Sequence, residues 1–336
     1  MDEQRVANGA TRASTSTSAG TNLRARVRTI RHEAERVLSI ELVPVEGTAF
    51  PPFAPGAHID LHLPNGITRS YSLVNSPDEH ARYVIGVLDD EKSRGGSRYV
   101  HEQLRCGSTL SIGKPRNNFA LDEEAVSTVL VAGGIGITPM LCMYRRLREQ
   151  GRDVQLVYCA RTRAQAAFLD ELDALGGNVR LHFDDEHEGR PFDLAAFLAQ
   201  QHESVHAYCC GPGPMLSAFE AACAACGIGN VHIERFAANS AVAATPQTGY
   251  NVELARSGRM LFVPAGKALL DVLLEANVDV EYSCREGLCG ACETRVLRGC
   301  PDHRDSVLTQ SDRANGNVMM ICVSGAKSET LALDLA

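Results

Sequence analysis

A chain of 336 residues with 44% hydrophobic content is long enough for two or three packed domains. Its 33 basic residues are outnumbered by 41 acidic ones, for a formal charge of -8, and no long basic run occurs, so nucleic acid is excluded as an expected partner. No apolar run reaches the ~18 residues needed to cross a bilayer, so a soluble, cytoplasmic protein with no membrane partner and 12 reduced cysteines is expected.

Residues 1–22 are rich in Ser, Thr, Ala and Gly and lack an apolar stretch, which predicts a disordered extension rather than a signal peptide. From 23 to 122 the chain reads as short alternating runs broken by Gly, Pro and Asn. Ala57–Leu63 alternates small or apolar with polar residues before a Pro64-Asn65-Gly66 turn, and Tyr83–Leu88 and Thr109–Ile112 read as further strands. A closed antiparallel barrel is the economical architecture. Within it, Arg69-Ser70-Tyr71-Ser72 lies on a strand whose alternation sends Arg69 and Tyr71 to one face and Ser70 and Ser72 to the other. Taken alone, the four residues fit a surface arginine beside a packed tyrosine. Gly95-Gly96-Ser97 precedes a helical run from Tyr99 to Leu104; such a start suits a phosphate, or equally a flexible turn.

These two segments resemble the ferredoxin reductase superfamily, whose flavin signature is R-x-Y-S. The resemblance implies that Arg69 contacts the flavin phosphate, that Tyr71 packs by the isoalloxazine and that Ser72 lies near flavin N5. Gly95, Gly96 and Ser97 resemble the phosphate loop of the FMN-dependent branch, and Pro115–Phe119 resembles the segment that leaves the barrel beside the flavin.

Residues 123–236 change character. The apolar, β-branched run Val126–Val131 leads into Ala132-Gly133-Gly134-Ile135-Gly136-Ile137-Thr138-Pro139 and then into helical periodicity from Met140 to Leu147. Strand, glycine turn and helix in that order form a pyrophosphate site, with Pro139 in the first helical turn, although tight-turn packing without a ligand would use the same glycines. Further strands are read at Val154–Cys159, Val179–Phe183 and Ser204–Cys210, with a helix near Gln165–Ala174, so a parallel sheet covered by helices is expected. Cys209-Cys210-Gly211-Pro212 resembles the superfamily's Cys-Gly-x-Pro motif, which implies that Cys210 sits by the nicotinamide C4; here Pro212 follows Gly211 at once and Cys209 duplicates the thiol. Phe236 matches an aromatic that the family lays near the flavin. Cys223 and Cys226, at i and i+3, read as small core residues.

Residues 237–248 read as a linker, and 249–336 as a small α+β unit: a hairpin from Tyr250 to Val263, then a helix from Leu269 to Ala276. Next come Cys284, Cys289 and Cys292, spaced C-x4-C-x2-C, with Cys322 in the separate apolar run Val318–Val323. This is the plant-type 2Fe-2S spacing. Zinc would favour repeated C-x2-C or histidine partners, and disulfides an oxidising compartment. Cys300 lies in a turn only eight residues beyond Cys292, so Cys322 is expected as the fourth ligand, closing the cluster from a distant strand. His303 reads as a structural or surface residue.

Flavin barrel, parallel-sheet nucleotide domain and C-terminal plant-type ferredoxin domain, in that order, resemble the phthalate dioxygenase reductase family, which includes vanillate demethylase reductases. The resemblance implies FMN, NADH, a 2Fe-2S cluster and a terminal oxygenase partner of the Rieske non-haem iron type. A monomeric, NADH-dependent reductase for an aromatic-ring oxygenase or demethylase is therefore expected. A self-sufficient NADH oxidase or ferric reductase, or a redox-sensing module without turnover, are the alternatives.

Overall fold

The computed structural model describes residues 22–91, 93–237 and 248–336, so the expected extension and most of the expected linker lie outside the described residues. Three sheets follow one another along the chain. The first is built from β1 (Leu23–Ala34), β2 (Val37–Pro44), β3 (His58–His62), β4 (Thr68–Ser72), β5 (Tyr83–Leu88) and β6 (Thr109–Ile112), with helix α1 (Gly96–Glu102) between the last two. The strand order is β4-β3-β6-β1-β2-β5, and every pairing is antiparallel. A bridge between Leu73 and Ile85 joins the two edges, so the sheet curls into a barrel-like unit around Ile40, Leu42, Ile59, Leu61 and Ile85.

The alternation of β3 has an outcome that its sequence does not announce. Ile59 and Leu61 enter the barrel core as expected, yet His58 and Asp60 on the opposite face are only 5% and 2% exposed. Other parts of the chain cover that polar face, and it becomes part of the site described below.

The second sheet is parallel, in the order β11-β10-β7-β8-β9, from β7 (Ser127–Gly133), β8 (Asp153–Ala160), β9 (Asn178–Phe183), β10 (His206–Cys210) and β11 (Asn230–Glu234). Helices α2 (Ile137–Glu149), α3 (Leu169–Leu175), α4 (Leu194–Leu198) and α5 (Gly213–Ala225) connect the strands. Separate apolar cores lie on the two faces, one holding Ile137, Met140 and Tyr144 of α2 and the other Phe197, Phe219 and Cys223, as a parallel sheet buried on both sides requires. The helix expected at Gln165–Ala174 starts only at Leu169. Phe168, buried and held in the left-handed region at φ 62°, separates it from a short 3-10 turn at Arg163–Gln165.

The third unit has the order β13-β12-β18-β14-β16, from β12 (Tyr250–Leu254), β13 (Arg259–Val263), β14 (Glu293–Arg298), β16 (Val318–Met320) and β18 (Thr330–Leu333), with a small β15 (Pro301–Asp302) and β17 (Gly325–Ala326) pair beside it. Strands β12 and β18 run parallel and the other neighbours antiparallel. Helix α6 (Leu269–Glu275) lays Leu269, Leu270 and Leu273 onto this sheet, and α7 (Gln310–Asn315) opens with a capping box between Thr309 and Asp312. Among the described residues no helix is long and apolar enough to cross a membrane.

Candidate functional site

The loop after α6 carries Cys284, Cys289 and Cys292 toward Cys322, and backbone amides turn onto their sulfurs. The Glu286 N–H donates to Cys284 Sγ at 3.3 Å and the Cys284 N–H to Cys289 Sγ at 3.4 Å. The thiols pair. A hydrogen bond from Cys289, outweighing burial, pushes the Cys284 thiol down to about 6, with the Leu288 and Cys289 amides adding to the effect. A hydrogen bond with Cys322 likewise holds Cys292 below its ordinary value. Cys289 and Cys322 are pushed up by the same two hydrogen bonds and by burial. Four thiols drawn into one loop region, with backbone amides aimed at two of the sulfurs, are what a thiolate-ligated anionic cluster needs, so the donor set fits a 2Fe-2S group. Among the described residues no three His, Cys, Asp or Glu side chains draw tight enough for one metal ion; a two-iron cluster is wider than an ion, and these four thiols stand as two pairs.

Cys322 does not lie on a strand as expected. β16 ends at Met320, and Cys322 follows in the turn, where the backbone frees itself from the ladder and brings the thiol back to Cys292. Cys300 is exposed and its backbone is tied to Ser328 and Lys327, apart from the four. His303 is partly buried and neither ring nitrogen has a hydrogen-bond partner.

On β4 the expected alternation holds. Arg69 and Tyr71 pair with Leu61 and Ile59, whereas Ser70 and Ser72 pair with Asp60 and His58. The Arg69 stem lies against Gly96, where a Cβ would come within 2.7 Å of its Cγ; α1 thus begins at Gly96 rather than at Tyr99, and the glycine lets strand and helix approach. Gly95, at φ 100°, precedes the helix, and the Ser97 hydroxyl accepts from the Asp90 N–H at 3.3 Å. The Tyr71 hydroxyl is buried without a partner and burial pushes it up to about 12. Arg69 and Arg94 both pair with Glu286 of the cysteine loop, the former at 3.8 Å.

The glycine turn after β7 is pressed against the end of β10. A Cβ on Gly136 would lie 2.1 Å from the Cys210 carbonyl oxygen, so only glycine fits there, and one on Gly133 would meet Met215 and Pro212. Thr138 is buried and donates to the Ile135 carbonyl at 3.0 Å, with Pro139 in the first turn of α2. A cavity of about 1300 Å³ opens beside this turn, lined by Gly133, Gly134, Arg161, Asp184, Pro212 and Met215 among others. The doubled cysteines divide between the two faces of the sheet. Cys210 joins the core of α2, and Cys209 joins Cys159 and Cys223 on the other side. Burial raises the Cys210 thiol well above its ordinary value. Phe236, just past β11, is 42% exposed.

Sequence reasoning missed Glu234 and Asp60. Glu234 stands opposite Cys210 in the β10–β11 ladder and its Oε2 lies 3.5 Å from Ser72 Oγ, linking the two residues expected to serve catalysis. The residue keeps some exposed surface, but its carboxyl is packed around by protein, and that desolvation pushes it up to about 8. Asp60 accepts from Ser70 at 2.6 Å and from Arg116 at 2.7 Å. Burial alone would raise this carboxyl, but the Arg116 guanidinium, with the Ser70 hydroxyl, holds it below the usual range. The available signals were a glutamate two residues before Phe236 and an aspartate inside an apolar strand, neither of which names its partner.

Comparison with known proteins matches residues 130–221 to the oxidoreductase NAD-binding domain and residues 252–327 to the 2Fe-2S iron-sulfur cluster binding domain. The phenoxybenzoate dioxygenase subunit beta of Ectopseudomonas oleovorans is 50% identical over 92% of this chain and 96% of its own. The phthalate dioxygenase reductase of Burkholderia cepacia is 40% identical over 93% of this chain and 97% of its own. A solved structure of phthalate dioxygenase reductase, described as modular for electron transfer from pyridine nucleotides to [2Fe-2S], covers 94% of this chain and 98% of its own at 39% identity and a TM-score of 0.70.

Proposed function

Because the chain belongs to the phthalate dioxygenase reductase family of NAD-binding, 2Fe-2S oxidoreductases, we propose that it carries electrons from NADH through FMN and its cluster to a terminal oxygenase or demethylase. We take 23–122 as the flavin unit, 123–236 as the nucleotide unit and 249–336 as the cluster unit. The observation that carries the reading is the meeting of all three: Ser72 of the barrel touches Glu234 of the nucleotide sheet, and the barrel unit meets the cysteine loop through Asn118 at the Cys289 carbonyl and through Arg69 at Glu286. A relay needs this adjacency, and separate binding modules do not.

Bound FMN would accept two electrons as hydride and release them singly to the one-electron cluster. Arg69, Gly95, Gly96 and Ser97 hold its phosphate, while Tyr71 and the exposed ring of Phe236 border the ring system. Ser70 keeps Asp60 in place behind the strand. Ser72 and Cys210 border the point where nicotinamide and flavin meet, and Glu234 fixes the Ser72 hydroxyl between them. Gly133, Gly134, Gly136, Thr138, Pro139 and Gly211 form the turn that receives the pyrophosphate. Asp184 lines the cavity together with Arg161, a mixed pair that makes no basic cluster dedicated to a 2′-phosphate, and we take NADH as the donor. Cys284, Cys289, Cys292 and Cys322 ligate the cluster.

The relatives named as dioxygenase and demethylase reductases support an oxygenase partner, which we take to be of the Rieske non-haem iron type and to meet a monomeric reductase in the cytoplasm, where its twelve free cysteines stay reduced. The test is an absorption spectrum of purified protein, chromatography of the released flavin, and NADH-driven turnover with and without an added oxygenase. FMN, a 2Fe-2S spectrum and substrate turnover only with the oxygenase are expected; extracted FAD, or substrate turnover without a partner, would overturn the reading.

A further inference from the structure

The segment that leaves the barrel is held from both sides, by the barrel at Arg116 and Asn117 and by the nucleotide sheet at Phe119. Arg116 exchanges two backbone hydrogen bonds with His58, at 2.9 and 3.0 Å, and its side chain holds Asp60. Asn117 donates to the Pro55 carbonyl and accepts from the Phe119 N–H, both at 2.9 Å. Phe119 is buried and meets the Tyr208 ring edge-on at 5.6 Å. Asn118 alone reaches the other way, and its Nδ2 donates to the Cys289 carbonyl at 2.9 Å, across 171 residues of sequence. The next residue of the loop is Gly290, at φ 71°, where a Cβ would sit 2.8 Å from that same Asn118 nitrogen. The close approach of amide and loop therefore demands glycine on one side and a short donor on the other.

We propose that Asn118 is a positioning residue for electron transfer between flavin and cluster, acting by pinning the Cys289–Gly290 backbone to the rigid exit segment of the barrel. The inference rests on the function proposed above. Each event moves one electron, which oxidises the reduced flavin and reduces one ferric iron of the cluster, with no bond made to protein. Distance and orientation decide such a step, so a cysteine loop that drifts from the barrel slows it several-fold without changing either redox centre. The Arg69–Glu286 ion pair adds a contact between the same two units, but it joins two long, flexible side chains. Asn118 supplies, among the described residues, the hydrogen bond from the barrel unit to the backbone of a residue expected to ligate iron.

The test uses the loaded full-length protein with Asn118→Ala, Asn118→Leu and Gly290→Ala. In stopped flow, NADH-driven bleaching of the flavin is expected to keep its wild-type rate, while the following reduction of the cluster slows several-fold. The cluster's EPR signal and both midpoint potentials are expected to stay as in wild type. Hydrogen–deuterium exchange across residues 284–292 is expected to quicken, which reads the lost contact without turnover. Asn118→Leu keeps the size and removes the donor without adding charge, so it carries the test if the alanine variant fails to fold. Unchanged cluster reduction in the variants that fold would overturn the proposal, and so would an altered EPR signal, which would place Asn118 in the integrity of the cluster itself. Wild-type protein lacking flavin or cluster would instead sink the parent reading.

Discussion

Glu234 faces Cys210 across the β10–β11 ladder and comes within 3.5 Å of the Ser72 hydroxyl, so one carboxyl joins the last strand of the nucleotide sheet to the fourth strand of the barrel. Burial pushes that carboxyl up to about 8. An acid raised in the folded state is still protonated there while the unfolded chain has ionised, so its contribution is complete below about 4.5 and is lost as pH climbs toward 8. Within that window the stability lost is at most about 1.4 kcal/mol per pH unit for the one proton. Glu234→Gln, neutral at every pH, is expected to flatten the pH dependence of the thermal midpoint between 5 and 8. A variant whose profile runs parallel to wild type would show that the carboxyl titrates normally.

The cluster ligands are tested by serine replacement. Cys284→Ser, Cys289→Ser, Cys292→Ser and Cys322→Ser are each expected to lose iron and sulfide, since every one of these thiols sits in the paired group. Cys300→Ser, exposed and tied to Ser328, is expected to keep both. Iron analysis that reversed Cys300 and Cys322 would overturn the assignment.

Local signals were legible and long-range ones were not. Tyr83–Leu88 and Thr109–Ile112 form strands with the boundaries their turn residues imply. The cysteine spacing and the strand–glycine–helix order likewise put their chemistry on the page without tertiary information. Helix α3 was misplaced because Phe168 adopts a left-handed conformation to bury its ring, which no propensity reveals. Cys322 was assigned to a strand because its apolar neighbours look like one; Ile321 to Val323 leave the ladder to form a turn. Glu234 and Asp60 gained their meaning from partners in other units, with Ser72 lying 162 residues from Glu234. A single sequence carries no sign of such a pairing.

The nucleotide turn should tolerate nothing larger than glycine at 136. An added methyl at 2.1 Å from the Cys210 carbonyl oxygen must push the turn or the strand end aside, an overpacking cost of roughly 1–3 kcal/mol. Gly136→Ala is expected to lower the melting temperature and raise the KM for NADH together. A KM equal to wild type would show that pyrophosphate binds elsewhere.

Arg69 stands between two tasks, since it packs on Gly96 and pairs with Glu286 at 3.8 Å. Removing its charge is expected to release flavin, because the partly buried phosphate pocket loses its cation. Arg69→Ala is therefore expected to be purified with an intact cluster spectrum and depleted flavin, restored in part by excess FMN. Full flavin content in the variant would move the phosphate site to other residues.

In the proposed relay, hydride arrival and electron exit use different residues and should fail separately. Cys210 lies at the end of β10 beside the glycine turn, buried and with its thiol held protonated. Cys210→Ala is expected to slow flavin bleaching by NADH about 10²-fold by loosening the nicotinamide's seat, while the cluster keeps its spectrum and accepts electrons as fast as they arrive. Cys289→Ser is expected to do the reverse, with normal bleaching and normal NADH-dependent ferricyanide reduction but no transfer to the oxygenase. The two stopped-flow traces then differ in which phase is missing. A cluster-free variant that still drove the oxygenase at the wild-type rate would mean that electrons leave directly from the flavin, and the contacts that bind the cysteine loop to the barrel would need a different explanation.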